Sequence, residues 1–169
     1  MKTHKTKNII ASGLLAALLI SGIVFAQSPI NLKNRDPNMG PTVITSNSLE
    51  FDYKEFIALF EGNVRVKDPQ FTLTADKMLV YFENTNDVKR VDAIGRVVLT
   101  SGDMRATCSR ASYTAANGLV KVWSDPGDPL PVVTKGENKI TGKNISVWLN
   151  EQIVKVESEV ELISKPEKK

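Results

Sequence analysis

Between residues 42 and 163, apolar side chains recur at every second position, a period that suits a β-strand and not an α-helix. Leu49, Phe51 and Tyr53 alternate with Glu50 and Asp52, and Phe71, Leu73 and Ala75 alternate with Thr72 and Thr74. Met78, Val80 and Phe82 continue the alternation. Ile145, Val147 and Leu149 alternate with Ser146 and Trp148, and Val154 and Val156 flank Lys155. Each run is short and closes in a turn signal such as Lys67-Asp68-Pro69, Ser101-Gly102-Asp103 or Ala116-Asn117-Gly118. Short alternating runs at close spacing predict an all-β domain with no long helix.

The runs also repeat. Gly62-Asn63-Val64 is followed by Gly95-Arg96-Val97, more loosely by Gly127-Asp128-Pro129, and finally by Ser158-Glu159-Val160 with the glycine lost. Ahead of each lies a strand with a small, polar start: Ser46-Asn47-Ser48, Thr74-Ala75-Asp76, Ala106-Thr107-Cys108-Ser109 and Thr141-Gly142-Lys143. The unit is therefore a hairpin, and stacked copies would bury one continuous apolar face. A glycine inside a strand marks a bulge or bend. Placed identically in successive hairpins, it predicts a sheet that curls into a roll.

The ends of the chain read differently. Lys2, Lys5 and Lys7 precede an apolar run from Ile9 to Phe25 that closes on Val24-Phe25-Ala26, the pattern of a cleavable export signal over residues 1–26. Retention of that run as a membrane anchor is the alternative, since it approaches the roughly 18 apolar residues needed to span a bilayer. Residues 27–41, rich in Pro, Asn and Gly, are expected to be a disordered leader, and residues 164–169 a flexible tail. The main domain is expected over 42–163.

Cleavage changes the charge balance. The chain has 22 Lys+Arg against 19 Asp+Glu. Removing the three signal lysines leaves the two signs equal, so no positive excess remains to attract nucleic acid. His4, the only histidine, leaves with the signal, and Cys108 is the only cysteine. No nucleophile–base pair or metal cluster can be assembled, so neither catalysis nor a cofactor is expected. Asp103, Asp125 and Asp128 lack the spacing of a dedicated Ca²⁺ loop and suit a turn. Glu50, Asp52 and Glu55 suit a solvent face, and Trp123 and Trp148 suit packing or rim positions.

In combination, Phe60-Glu61-Gly62-Asn63-Val64, Leu73-Thr74-Ala75-Asp76, Gly95-x-Val97 and Ile140-Thr141-Gly142 resemble the OstA-like family over about residues 42–163. The resemblance implies a slightly twisted β-jellyroll, open at both ends, with an apolar interior. It implies a periplasmic carrier that holds the acyl chains of lipopolysaccharide and stacks head to tail. Such a carrier would stand between inner-membrane relay and outer-membrane assembly proteins. The third unit departs from the pattern: Cys108-Ser109 replaces Ala-Asp, and Pro126, Pro129 and Pro131 crowd Gly127, which puts strand pairing there in doubt.

An acyl groove needs a long apolar lining and no reactive group, since each buried CH₂ contributes about 0.8 kcal/mol. The in-phase set expected to line it is Phe51, Tyr53, Val64, Val66, Phe71, Leu73, Met78, Val80, Phe82, Val97, Leu99, Tyr113, Ile145, Val147 and Leu149. The plainer alternative is that these residues pack on one another as a closed core. An uncharged first strand, with Val43 and Ile44, and a last strand over Ile153–Leu162, with Val154, Val156 and Val160, are expected to be the edges that join copies.

Overall fold

A computed structural model describes residues 40–84, 87–148 and 153–164. The expected signal segment, the leader as far as residue 39, Leu149 and the tail beyond Ser164 lie outside the described residues. Within them the chain is all-β, with twelve strands joined in one hydrogen-bonded sheet. In chain order these are β1 (Val43–Thr45), β2 (Ser48–Asp52), β3 (Ile57–Lys67), β4 (Thr72–Phe82), β5 (Val88–Ser101) and β6 (Met104–Thr114). They continue with β7 (Leu119–Trp123), β8 (Val132–Lys135), β9 (Asn138–Thr141), β10 (Asn144–Trp148), β11 (Ile153–Glu157) and β12 (Glu161–Ile163). Every pairing is antiparallel.

Strands β3 to β6 are long, and each takes part in two walls. In wall A the order is β2, β3, β4, β5, β6, β7, β10, β11, using Ile57–Glu61 of β3 and Lys77–Tyr81 of β4. In wall B the other halves of the long strands lie between β1 on one side and β8, β9 and β12 on the other. The walls face each other across one apolar cluster, which holds Met78, Val80, Val122 and Ile145 from wall A and Val66 and Ile140 from wall B.

The line where the walls meet is drawn by the repeated motif. Between Glu61↔Lys77 and Val64↔Ala75, β3 spends two residues, Gly62 and Asn63, against one on β4, Asp76. Between Ile94↔Arg110 and Val97↔Cys108, β5 spends Gly95 and Arg96 against Ser109 of β6. Two residues opposite one is a β-bulge, which bends the strand and increases its twist. Gly62 and Gly95 both have φ +77°, and Asn63 and Arg96 follow at +50° and +45°. The bulged strand keeps its apolar phase, whereas its partner shifts by one: Leu73 and Ala75 face inward before Asp76, and Met78 and Val80 face inward after it.

Glycine is required at these bulges by space as well as φ. A Cβ on Gly62 would stand 2.6 Å from Asn47 Nδ2, and one on Gly95 would stand 2.9 Å from Asp76 Cβ. The residue pressed against each bulge also clasps it. Asn63 Nδ2 donates to Asn47 Oδ1 at 3.3 Å, and Arg96 Nε donates to both Asp76 oxygens at 3.0 and 3.1 Å. Lys143 pairs with Glu159 at 2.5 Å across the last bend, where Ser158 and Glu159 take the left-handed conformation without glycine. That bend divides the expected single strand Ile153–Leu162 into β11 on wall A and β12 on wall B.

The third unit is the irregular one, as its prolines predict. No bulge carries one strand around the bend. Instead β7 ends at Trp123, β8 begins at Val132, and a loop spans the ridge. Its carboxylates replace the missing clasp: Arg110 Nε donates to Asp125 at 3.0 and 3.1 Å, and Ser109 Oγ donates to Asp128. A Cβ on Gly127 would meet nothing within 4 Å.

Candidate functional site

The inward surface consists of cross-strand rows. On wall A one row runs Leu49, Phe60, Met78, Ala93, Ala111, Val122, Ile145, Val156, one residue from each of eight strands. The next row runs Phe51, Ala58, Val80, Val91, Tyr113, Val120, Val147, Val154. On wall B the matching row runs Ile44, Val66, Leu73, Leu99, Ala106, Val133, Ile140, Leu162. No charged side chain interrupts these rows. Tyr113 brings the one polar atom, a hydroxyl whose ionisation burial holds above the usual tyrosine range.

Packing is tightest beside the bend. Val64 and Val97 are each 1% exposed, and Ala75 and Ala93 complete that seam. Away from it Phe51, Phe82, Leu73, Leu99, Tyr113 and Val147 are only half-buried against the cluster. The rows also emerge at both sheet ends, at Leu49 (60% exposed) and Leu162 (44% exposed). The apolar surface thus continues to the edges.

Thirteen of the fifteen residues expected to line the interior belong to these apolar clusters. Tyr53 does not: it lies beyond the end of β2, is 82% exposed, and touches the interior only through an edge-on contact with Phe51 at 4.7 Å. The alternation that included it has already ended in a turn, where Asp52 Oδ1 accepts from the Lys54 and Glu55 amides. Leu149 lies outside the described residues. Phe60, Val91, Ala111, Val120 and Val122 also face inward and are not in the expected set, although Val91 and Ala111 alternate with polar residues and Val120 and Val122 flank Lys121.

The expected edge residues do not form one line. Ile44, Val154 and Val156 point inward, Val43 points outward, and Val160 sits in the bend between β11 and β12. The last edge falls at β11 and β12, within the expected Ile153–Leu162, and β1 is the first edge of wall B, whereas the first edge of wall A is β2, which the alternation does not mark as an edge. Other candidate chemistry is spoken for. Burial pushes the Cys108 thiol up to about 12. Glu50, Asp52 and Glu55 are exposed. Among the described residues no group of His, Cys, Asp and Glu could hold a metal ion, and no helix is long and apolar enough to cross a membrane.

The family model described as "LptA/(LptD N-terminal domain) LPS transport protein" matches residues 43–153. The chain belongs to this family. The matched span runs from β1 to the start of β11 and so contains the bulges and nearly all of the inward rows. A relative in Rhizobium meliloti (strain 1021), the uncharacterized protein R00383, is 26% identical over 148 residues, covering 82% of this chain and 77% of its own. The fold also matches the crystal structure of LptH from Pseudomonas aeruginosa, described as the LptA homologous periplasmic component of the lipopolysaccharide transport device. That match has a TM-score of 0.64 at 17% identity and covers 75% of this chain and 96% of LptH. The all-β, LptA-like jellyroll implied by the family resemblance is thus the architecture of this lipopolysaccharide transport family member.

Proposed function

We propose that this protein is a periplasmic, non-enzymatic carrier that shields the acyl chains of lipopolysaccharide between its two walls. The observation that carries the reading is the set of uncharged inward rows, in which half-buried Phe51, Leu73, Leu99, Tyr113 and Val147 stand among buried neighbours and which reach exposed Leu49 at one sheet end and exposed Leu162 at the other. Acyl chains need continuous apolar surface with an exit, and a carrier must release what it holds. At about 0.8 kcal/mol per CH₂, a fully enclosed multi-chain lipid would be bound too tightly to pass on. Walls hinged on one seam can part along the side where packing is loosest. Export on a cleaved signal over residues 1–26 supplies the compartment.

The same reading has copies stacking head to tail. Among the described residues both ends of the sheet are strands paired on one side only, and Leu49 and Leu162 prolong the interior to those ends. Joining a first edge to a last edge is heterologous and does not close, so the assembly grows with concentration. The same edges would receive lipid from an inner-membrane relay and deliver it to an outer-membrane assembly protein.

The test places photo-crosslinking residues at Leu73 and Val147, half-buried positions on opposite walls, and at Lys121 on the outside as a control. Lipopolysaccharide captured in cells at the two inner positions and not at Lys121 supports the carrier. Capture at none of them, with the protein folded and exported, leaves a closed structural scaffold.

A further inference from the structure

The outward surfaces of the two walls differ in a way that strand formation does not require. Wall B presents two outward rows. Thr45, Thr74, Thr107 and Thr141 share one with Arg65, Val98, Val132 and Glu161, and Thr72, Thr100 and Thr134 share the other with Lys67, Arg105 and Lys139 between Val43 and Ile163 at its two ends. Glu161 is the only acid in either row, and it is engaged by Lys139 at 3.7 Å. Arg65, Lys67 and Arg105 are exposed and take part in no ion pair among the described residues. Asp68, Asp103 and Glu137 stand in the turns beyond the strand ends, alongside the second row, where Asp68 accepts from Thr42 at 2.6 Å.

Wall A uses the same long strands and has a different exterior. Its outward rows balance Glu50, Asp52, Glu61, Asp92 and Glu157 against Lys77, Arg90, Arg110, Lys121 and Lys155, with Thr114 as the lone threonine. Strand propensity favours threonine on any solvated face, so it would have enriched both walls. The enrichment and the positive excess are confined to wall B.

We infer that the outer face of wall B is a docking surface for a linear acidic glycan. Strands lie about 4.8 Å apart, so an eight-strand row is roughly 34 Å long, and Lys67, Arg105 and Lys139 recur along it at intervals of about 14 and 10 Å. Cations at such intervals meet carboxylates spaced along an extended polymer. Between them, accessible threonine hydroxyls donate to and accept from sugar hydroxyls, as Lys and Arg cannot. Thr45, Thr72 and Thr74 are exposed and Thr100, Thr107 and Thr134 half-exposed, whereas Thr141 is buried and takes no part. Charge alone would recruit any polyanion; the hydroxyl lattice selects a polyhydroxylated one. This face points away from the apolar interior, so the inference stands independently of lipid binding.

The test measures binding of the exported chain to oligogalacturonate, which carries a carboxylate on every sugar. Controls are its methyl ester, with hydroxyls but no charge, and polyglutamate, with charge but no hydroxyls. Oligogalacturonate should bind, the ester should not, and polyglutamate should bind several-fold more weakly. Lys67→Gln with Arg105→Gln should weaken binding about tenfold, an effect that fades with added salt. Thr72→Val with Thr100→Val and Thr134→Val keeps β-branched shape and should weaken binding of the sugar polymer but not of polyglutamate. Lys121→Gln with Lys155→Gln on wall A should change neither, and melting curves confirm that each variant is folded. Equal affinity for polyglutamate, no binding of oligogalacturonate, or equal losses from the two walls would each overturn the inference.

Discussion

Replacing Gly95 with alanine tests the account of how the walls are joined. At φ +77° a non-glycine residue costs about 1–2 kcal/mol in the left-handed region. The added Cβ would also stand 2.9 Å from Asp76 Cβ and 3.0 Å from its Cγ. Asp76 lies between two ladder pairs with β3, Ala75 with Val64 and Lys77 with Glu61, so the strands must part locally, which costs roughly 1–3 kcal/mol as overpacking does. Together these predict a loss of about 2–5 kcal/mol. Gly127 is the internal control, because its φ is +94° but its Cβ would meet nothing within 4 Å. Gly127→Ala should therefore cost only the conformational part, about 1–2 kcal/mol. Urea unfolding gives both values from the shift in midpoint at constant slope. In a thermal melt each kcal/mol should appear as a fall of roughly 3–6 °C. If Gly95→Ala were no more destabilising than Gly127→Ala, the close approach at the bulge would not be what fixes the bend.

Ile145→Ala removes one of the most buried side chains and should cost about 2–5 kcal/mol in the same unfolding assay, whereas Tyr53→Ala should be nearly silent. Cys108 should resist thiol reagents at pH 8 until the chain is unfolded, since only the thiolate reacts and burial pushes that thiol up to about 12. Because the folded value lies above the unfolded value near 9.0, the protonated thiol contributes stability that is complete below pH 9 and lost as pH rises toward 12. A Cys108→Ala variant should lack that alkaline decline. The Arg96 guanidinium holds the Asp76 carboxyl below its usual range, so Asp76 contributes stability present above about pH 4 and lost on acidification. Asp76→Asn should flatten that acid limb in a pH series of melts. Leu49→Lys at the first edge should shift light-scattering mass toward the monomer, and unchanged oligomers would place the contact between copies elsewhere.

How much of this was legible in the sequence depends on the range of the interaction involved. Period-two alternation records which side of a strand is wet, a local property, so strand identity and most of the inward set could be read residue by residue. The recurrence of Gly-x-Val marked the bulges, because a left-handed residue pressed against a neighbouring strand leaves glycine as the ready solution at Gly62 and Gly95. The last bend shows the limit of that signal: Ser158 and Glu159 adopt the same conformation without glycine, so alternation alone predicts one strand over Ile153–Leu162. Tyr53 was misplaced because alternation continues past the point where Asp52 turns the chain.

The placement of distant residues side by side comes from the folded sheet alone. Register sets Thr72 against Thr100 and Arg105 against Thr134, pairs separated in sequence by a whole strand or more. No periodicity within a single strand reveals that the outward threonines and cations gather on one wall. The division of one sheet into two walls has the same origin, since a bulge is defined by two residues facing one across a ladder, and the facing residue lies in another part of the chain. The sequence by itself determined that these segments are strands and which of their faces is apolar, through the alternation of side chains along an extended backbone. The closure of those faces around a common interior was decided by hydrogen-bond register between strands, which the order of residues along a single strand does not encode.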